Sequence, residues 1–366
     1  MIAFTNASIF GGEKFLKERV LLVAQGKIKG VVHTVPKGVE EIDCKEGILA
    51  PGCVDLQIYG AGRDLFSAEL TAESLKRISD SIVKQGTTSY FMTLATNSFD
   101  VFRRAVEIVR DNPHPALRGI QLEGPYINPQ KRGAHLTAYI KKPDYNELKT
   151  FLKFADGVVK MMTLAPEVCD RRVIHLLCDY GVLLSAGHSN ATFSEAIRGF
   201  DNGITAVTHL YNAMSPLHHR DAGLPGASFL DNRAHASIIV DGIHVGYEAA
   251  KIAKQQMGQR LFFITDAVAA TMKGGYKHIR KGNRYVLPDG TLSGSALTMP
   301  HAISNMVKHV GESVEESLRM ASLYPARVAG FRKSGSIKEG YVADLICLSK
   351  DLKLNFTVLK GEVIKA

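Results

Sequence analysis

At 366 residues the chain is long enough for one large domain with a small second one, and its 45% hydrophobic and 22% charged residues are ordinary globular values. No apolar run reaches membrane-spanning length. The formal charge of +9 is scattered in short clusters such as Arg103-Arg104 and Lys141-Lys142, with no arginine-rich arm or zinc-finger spacing. It reads as a basic surface, or at most an attraction for small anions, rather than a nucleic-acid site.

Residues 1–48 give short alternating strands, "MIAFTNASIF" and "RVLLVAQGKIKGVV", separated by turn-forming glycines. The start lacks a basic leader followed by an apolar stretch, and the five cysteines are odd in number with no Cys-x-x-Cys pair. Both features lead us to expect a cytoplasmic protein with buried thiols. From Gly47 to Asp266 one theme repeats: a short apolar strand, a polar or glycine-bearing loop, then an amphipathic helix. The strand candidates are "ILAPGCVDLQI", "TSYFMTL", "RGIQLE", "VVKMMTLAP", "VLLSAGH", "TAVTH", "ASIIVDG" and "LFFITD". Thr71 opens a helix whose Leu75, Ile78, Ile82 and Val83 share a face and which Gly86 closes. Asp170 caps "RRVIHLLCDY", and Thr192 with Glu195 has capping-box spacing. Alternation of this kind implies parallel pairing through right-handed crossovers. Eight units suggest a closed (β/α)8 TIM-type barrel, although strand counting alone leaves an open doubly wound sheet possible. A further helix is expected around Ser313 to Ala329, after which the tail returns to the β style of the start. The two ends, 1–48 and 335–366, are expected to pair into a small discontinuous β-sandwich beside a catalytic barrel of residues 49–334.

Function in such a barrel sits at the carboxyl ends of the strands. In order, those ends offer Gln57, Thr93, Glu123, His188, His209, Asp241 with His244, and Asp266. Singly each has a dull explanation: a structural histidine, a turn-stabilising glutamate before Gly-Pro, an aspartate capping the next segment. Together, Glu123, His188 and His209 from strands three, five and six can converge above the barrel. A His₂Glu set leaves one coordination position open, as a hydrolytic metal site requires. Asp266 on strand eight closes the circle, where a carboxylate can take a proton at neutral pH. The first strand raises the opposite question, because "PGCVDLQIYG" carries Gln57 and Tyr59 where a His-x-His pair would fit. Gly60-Ala61-Gly62 lacks the third glycine of a dinucleotide fingerprint, and no Gly-Lys-Ser/Thr loop is present. His175, His218, His219 and His301 read as ordinary helix or loop histidines, and Met161 with Met162 as barrel filling.

The segments "APGCVDLQIYG", "LEGPYINPQKRGAH", "SAGHSNAT", "VTHLYNAMSPLHHRDAGLPGA", "DGIHV", "TDAVAAT" and "LSGSALTMPHAI" together resemble the amidohydrolase superfamily. Within it, the chain is similar nearly end to end to the N-acetylglucosamine-6-phosphate deacetylase family. The resemblance implies hydrolysis of the acetamide of N-acetyl-D-glucosamine 6-phosphate to D-glucosamine 6-phosphate and acetate, in amino-sugar catabolism. It implies one divalent ion on Glu123, His188 and His209, with Zn²⁺ expected and Fe²⁺ or another ion open. Asp266 would act as general base and then acid. His135 in "RGAH" would help to polarise the carbonyl, against its ordinary reading as a solvent-facing loop histidine. Substrate contacts would come from Ala134, His135, Asn212, Ala213, Arg220 and His244, the last two on the phosphate. The loop of Arg220 would reach a neighbouring subunit, which implies a homodimer. Some members lack the His-x-His pair and work with one metal; an amide and a phenol cannot replace two neutral imidazoles, so a full second site is not expected. The alternatives are a deacetylase for the galactosamine epimer or another N-acyl substrate, and an inactive sugar-phosphate sensor. The intact quartet Glu123, His188, His209 and Asp266 speaks against the sensor.

Overall fold

The computed structural model describes residues 1–17 and 20–366. Its central element is a ring of eight parallel strands: β1 (Cys53–Ile58), β2 (Thr87–Ala95), β3 (Leu117–Glu123), β4 (Val159–Leu164), β5 (Leu183–Ala186), β6 (Ala206–Val207), β7 (His235–Ile238) and β8 (Leu261–Phe263). Each pairs with the next in chain order. The ring closes just beyond β8, where Ile58 bridges Ala267 and Asp266 N donates to the Gln57 carbonyl oxygen at 3.0 Å. The expected (β/α)8 barrel is present, and its closure brings the first strand beside the eighth.

The helices begin where the capping residues place them. Thr71 accepts a hydrogen bond from Ser74 N and starts a helix over Ala72–Lys84 that buries Leu75, Ile78, Ile82 and Val83. Asp170 caps Arg171–Asp179, and Thr192 with Glu195 forms a complete capping box before Phe193–Asp201. Caps of this kind contribute about 1 kcal/mol each. Two expectations are corrected. The stretch "ILAPGCVDLQI" is not one strand: it leaves the strand Glu40–Pro51 and enters β1 at Gly52. A side chain at Gly52 would put its Cβ 2.1 Å from Thr88 Oγ1, so only glycine lets the chain pass β2 there. The helix expected over Ser313 to Ala329 breaks at Ser322 into Val314–Ala321 and Leu323–Val328. Pro325 lacks the N–H that would continue the ladder.

Inside the barrel a layer of polar side chains lies under its mouth. Gln121 Nε2 donates to Thr163 Oγ1 at 2.9 Å, and the Thr208 hydroxyl bonds both Thr163 (2.7 Å) and Ser185 (2.6 Å). These groups come from the four successive strands β3 to β6, the Thr163–Thr208 bond reaching past β5, and mutual pairing offsets their desolvation. Met161 and Met162 are buried, in keeping with their reading as filling.

The chain ends form one seven-stranded sheet in the order Glu362–Lys365, Leu354–Leu359, Leu345–Leu348, Glu40–Pro51, Ile2–Ile9, Val20–Ala24, Lys27–Val32. Arg19, where the strand at Val20–Ala24 was expected to begin, lies outside the described residues. The sheet folds back on itself: Ile28 N donates to Tyr341 O at 2.9 Å and Ala343 N to Gly26 O at 2.9 Å. Phe4, Leu21, Ile28, Leu345 and Val358 fill the interior this creates. Among the described residues no helix is long and apolar enough to cross a membrane.

Candidate metal centre and active site

Glu123 ends β3 and stands at the centre of the barrel mouth, buried among three imidazoles. Its Oε1 lies 3.0 Å from His209 Nε2 and 3.3 Å from His188 Nε2, and its Oε2 lies 3.1 Å from His135 Nε2. Ligand atoms of Glu123, His135 and His188 all lie within 4.8 Å of one another, and His209 Nε2 is 3.1 Å from His188 Nε2. His188, His209 and Asp266 have φ of 47°, 34° and 53°, and Tyr211 and Ala213 are also positive at 78° and 49°. Left-handed backbone at non-glycine residues is unfavourable and clusters where side-chain direction is functional.

The hydrogen bonds on the outer ring nitrogens assign the inner ones. His188 Nδ1 meets the carbonyl oxygen of Lys131 at 2.9 Å. A carbonyl only accepts, so the ring proton sits on Nδ1 and the Nε2 lone pair faces Glu123 and His209. His135 is the reverse: Thr96 approaches its Nδ1 with the backbone N–H at 3.3 Å and the hydroxyl at 2.7 Å. The hydroxyl proton goes to the Glu123 carbonyl oxygen at 3.0 Å, so the backbone N–H is the donor to Nδ1; with Glu123 Oε2 as acceptor 3.1 Å from Nε2, the ring proton sits on Nε2. Thr96 comes this close because Gly124 has no side chain; a Cβ there would lie 2.0 Å from Thr96 Oγ1. Burial, then the neighbouring His188, pushes His135 down to about 4, and burial lowers His209 as well. Among the described residues His209 Nδ1 has no hydrogen-bond partner, although it is buried.

Gln57 and Tyr59 occupy the side of Glu123 away from the histidines. Gln57 Nε2 donates to Glu123 Oε1 and to Asp266 Oδ1, both at 2.8 Å, and the Tyr59 hydroxyl donates to Glu123 Oε2. Burial alone would raise Glu123, but His188 together with the bonds from His135 and His209 holds it well below the usual carboxylate range. Asp266 goes the other way: burial, then the charge of Glu123, pushes it well above, with Gln57 pulling against them.

The donor set fits a divalent cation. A carboxylate and two imidazole nitrogens converge at 3.0–3.3 Å, and the two nitrogens face each other at 3.1 Å. At least one of those nitrogens presents a lone pair, an arrangement that a cation between them satisfies.

A cavity opens above this cluster. Ala134, His135, His188, His209, Asn212, Ala213, His244 and Asp266 all line it. His244 is backed by Asp241, whose Oδ2 lies 2.6 Å from Nδ1 while Oδ1 accepts from the backbone N–H of Ile243 and His244. The Nδ1 proton therefore goes to Asp241, and Nε2 is left for the cavity. His135, which sequence reasoning left between site and solvent, is 4% exposed and belongs to the cluster. Arg220 is not brought to this cavity: it is exposed on the loop that also carries the exposed His218 and His219. Thr93 Oγ1 accepts from Ile58 N at 3.0 Å and is structural. His175 and His301 are exposed. Sequence reasoning missed Tyr276, His278 and Ser293, which form one wall of the cavity. Ser293 falls in the quoted segment "LSGSALTMPHAI", beside the hairpin at Pro288-Asp289-Gly290, while Tyr276 and His278 lie beyond the last barrel strand, where no strand end points to them.

The sequence model of the Amidohydrolase family matches residues 48–364. The N-acetylglucosamine-6-phosphate deacetylase of Haemophilus influenzae is 33% identical over 380 residues, covering 98% of each chain. The human protein of the same name is 34% identical over 392 residues, covering 100% of this chain and 95% of its own. Among solved structures, the Pasteurella multocida N-acetylglucosamine-6-phosphate deacetylase superimposes with a TM-score of 0.95 at 32% identity, covering both chains fully. A mutant of the Mycobacterium smegmatis N-acetyl-D-glucosamine-6-phosphate deacetylase, solved in complex with N-acetyl-D-glucosamine-6-phosphate, has a TM-score of 0.91 at 29% identity, covering 100% of this chain and 99% of its own. With the barrel, the Glu-His cluster and this full-length similarity together, the chain belongs to the amidohydrolase family and, within it, groups with the N-acetylglucosamine-6-phosphate deacetylases.

Proposed function

We propose that this protein hydrolyses the acetamide of N-acetyl-D-glucosamine 6-phosphate, releasing acetate and D-glucosamine 6-phosphate, as a step of amino-sugar catabolism. The observation that carries the reading is the single amide group of Gln57, which bonds Glu123 and Asp266 at 2.8 Å each. It stands the acid–base carboxylate beside the metal-binding one at the floor of that cavity. Glu123, His188 and His209 would hold one divalent ion, for which Zn²⁺ suits two imidazoles and a carboxylate. Such an ion supplies Lewis acidity to a carbonyl oxygen and acidifies water. Asp266 takes the proton of the attacking water as its oxygen bonds to the acetyl carbon. The same carboxyl then returns that proton to the nitrogen as the C–N bond breaks, because an amine leaves only when protonated. His135, with its ring proton on Nε2, donates to the carbonyl oxygen as negative charge grows there. That tautomer is why we assign His135 to the substrate and not to the metal, although it touches Glu123. His244 Nε2 takes the 6-phosphate, and Asn212, Ala213 and Ala134 border the sugar.

Arg220 is assigned to the phosphate in the neighbouring subunit of a homodimer, a placement supported by its exposure outside its own cavity. Sedimentation at assay concentration should give two chains, and a fully active monomer would refute it. The division into 1–48 with 335–366 and 49–334 is supported by the separate apolar interior of the terminal sheet. The odd set of five cysteines supports a cytoplasmic address, which cell fractionation would test.

The test of the activity is acetate release from N-acetylglucosamine 6-phosphate by metal-analysed protein, with Asp266→Asn alongside. We expect rapid release with about one divalent ion per chain. The variant should keep its ion and lose roughly 10²–10⁴-fold in kcat. No release from fully metallated wild type refutes the activity and favours the sensor; normal turnover by Asp266→Asn refutes the acid–base assignment.

A further inference from the structure

Three loops at the barrel mouth carry the cluster and the groups around it. One follows β3 and holds Lys131 and His135, one follows β5 and holds His188, and one follows β6 and holds Asn212 and Ala213. The His188 backbone sits at φ 47°. A residue other than glycine stays in that region only where its surroundings hold it there. Those surroundings lead to a carboxylate that the chemistry does not use.

Glu167 lies in the loop after β4, half-buried, and is not among the residues that line the cavity. Its carboxylate accepts hydrogen bonds from two other loops. Oε1 accepts from Asn128 Nδ2 at 2.9 Å and from the backbone N–H of Asn190 at 2.6 Å, and Oε2 accepts from Ser189 Oγ at 2.7 Å. All three donors are neutral, and bonds to a charged acceptor are about twice as strong as those between neutral groups.

Each donor leads back to His188. Asn128 N donates to the His188 carbonyl oxygen at 2.9 Å, and the Asn128 carbonyl oxygen accepts from Lys131 N at 2.9 Å. Lys131 in turn offers the carbonyl oxygen that takes the His188 ring proton. On the other side Ser189 and Asn190 are the next two residues of the chain. Ser189 N donates to Ala213 O at 3.2 Å, and Ser189 O accepts from Ser215 N at 2.9 Å, so the same clamp reaches the loop after β6. One side chain therefore fastens His188 from both directions: Asn128 fixes its carbonyl oxygen and, through Lys131, its ring; Ser189 and Asn190 fix the chain beyond it. These bonds run from loop to loop, so losing them leaves the strand ladder of the barrel in place.

We propose that Glu167 is a positioning residue for the metal: it clamps the loop of His188 against the loop of Lys131, so that the Nε2 lone pair stays turned toward Glu123 and His209 and the ion is retained. The inference rests on the one-metal reading above. It goes beyond that reading by assigning a residue outside the ligands, the acid–base group and the substrate contacts. Partners that orient a metal-binding imidazole from behind typically change metal affinity or activity by about 10- to 100-fold.

The experiment uses Zn²⁺ as its probe and compares wild type, Glu167→Ala, the conservative Glu167→Gln, Ser189→Ala, and the double variant of Glu167→Ala with Ser189→Ala. For each, the Zn²⁺ dissociation constant is measured by competition with a chromophoric chelator. The melting temperature of the metal-free protein and kcat at saturating Zn²⁺ are recorded beside it. Glu167→Ala should bind Zn²⁺ about 10- to 100-fold more weakly, with a metal-free melting temperature near that of wild type. Glu167→Gln should recover most of the affinity, because its amide oxygen accepts from Asn128 and Asn190 while its NH₂ meets the Ser189 oxygen. Ser189→Ala, which keeps the carboxylate and deletes one bond, should show a smaller loss and gives the reading if Glu167→Ala does not fold. The double variant should lose little beyond Glu167→Ala, because the two residues act through one bond. Wild-type affinity in both single alanine variants would overturn this inference alone, and so would a loss confined to kcat at saturating Zn²⁺. A metal-free melting temperature that falls in step with affinity, in Glu167→Gln as in Glu167→Ala, would mark a purely structural role and overturn it as well. Wild type that binds no Zn²⁺ would overturn the metal reading and this clamp with it.

Discussion

Replacing Gln57 by leucine tests what the amide does where a histidine pair would otherwise stand. The substitution keeps roughly the same volume and removes two donated hydrogen bonds, one to Glu123 and one to Asp266, each 2.8 Å long. A hydrogen bond to a charged group contributes about 1.5–3 kcal/mol. Only the bond to Asp266 bears on the group that moves protons, so one such contribution is the expected loss in the transition state. At about 1.36 kcal/mol per decade, kcat should fall roughly 10- to 150-fold. Folding stability should change far less, because Gln57 Oε1 is a buried acceptor with no partner among the described residues and leucine removes that penalty as well. The assay is steady-state kinetics with metal analysis and urea unfolding on the same preparations. A fall in kcat with metal content, KM and stability near wild type is the signature of a positioning residue. A kcat within twofold of wild type in the metallated variant would refute the argument, and a loss of the ion in parallel with activity would move Gln57 to the support of Glu123 instead.

Asp55, one strand position pair below Gln57, makes a pH prediction. It is fully buried, accepts from Thr265 and from Gln57 N, and burial raises it to about 7. A carboxyl raised in the folded state contributes stability that is complete below its unfolded pKa and lost as pH rises through the folded value. From 3.8 to about 7 this is about 4 kcal/mol, of which roughly 2–3 kcal/mol falls between pH 5 and 8. Asp55→Asn, neutral at every pH, should gain on wild type by that amount across the interval in urea unfolding; a difference that stays flat with pH would refute it. Asp241→Asn removes the carboxylate behind His244. We expect KM for the phosphorylated substrate to rise about 10-fold, with kcat within about threefold, consistent with loss of one charge-assisted bond. A fall in kcat at unchanged KM would place His244 in the chemistry instead of on the phosphate.

Much of the barrel was readable because each strand–helix unit carries its own punctuation. Thr71, Asp170 and Thr192 act locally, on amides three residues away, so their meaning does not depend on tertiary context. The breaks that sequence reading passed over depend on distant partners. Gly52 separates two strands because Thr88 presses on it from β2, and nothing in "ILAPGCVDLQI" announces that neighbour. Pro325 was visible, but helical residues on both sides of it hid the interruption at Ser322. The site divides in the same way. Glu123, His188, His209 and Asp266 could be found at strand ends, where barrel geometry alone makes side chains converge. Whether His135 faces solvent or the cluster is decided by Thr96, Gly124 and Glu123 coming together from separate segments. His278 and Ser293 lie beyond the eighth strand, so a reading that counts strand ends has no place for them.

The replacement of the histidine pair is best understood through the sign of what each side chain offers. A neutral imidazole turned toward Glu123 and Asp266 would present a lone pair to a space already lined by carboxylate oxygens, and a second cation would be needed to hold them together. Gln57 and Tyr59 present protons instead: the amide to both carboxylates, the phenol to Glu123. They satisfy the same oxygens without adding charge. Two carboxylates then face the mouth of the barrel; one divalent ion would balance them, whereas a second would leave two positive charges among neutral groups in a desolvated site. The push of Glu123 on Asp266 follows from the same count. Without a cation, two buried carboxyls this close favour holding one proton, on Asp266; a divalent ion held by Glu123, His188 and His209 would offset that push and leave Asp266 ionised, the form that the proposed general base requires.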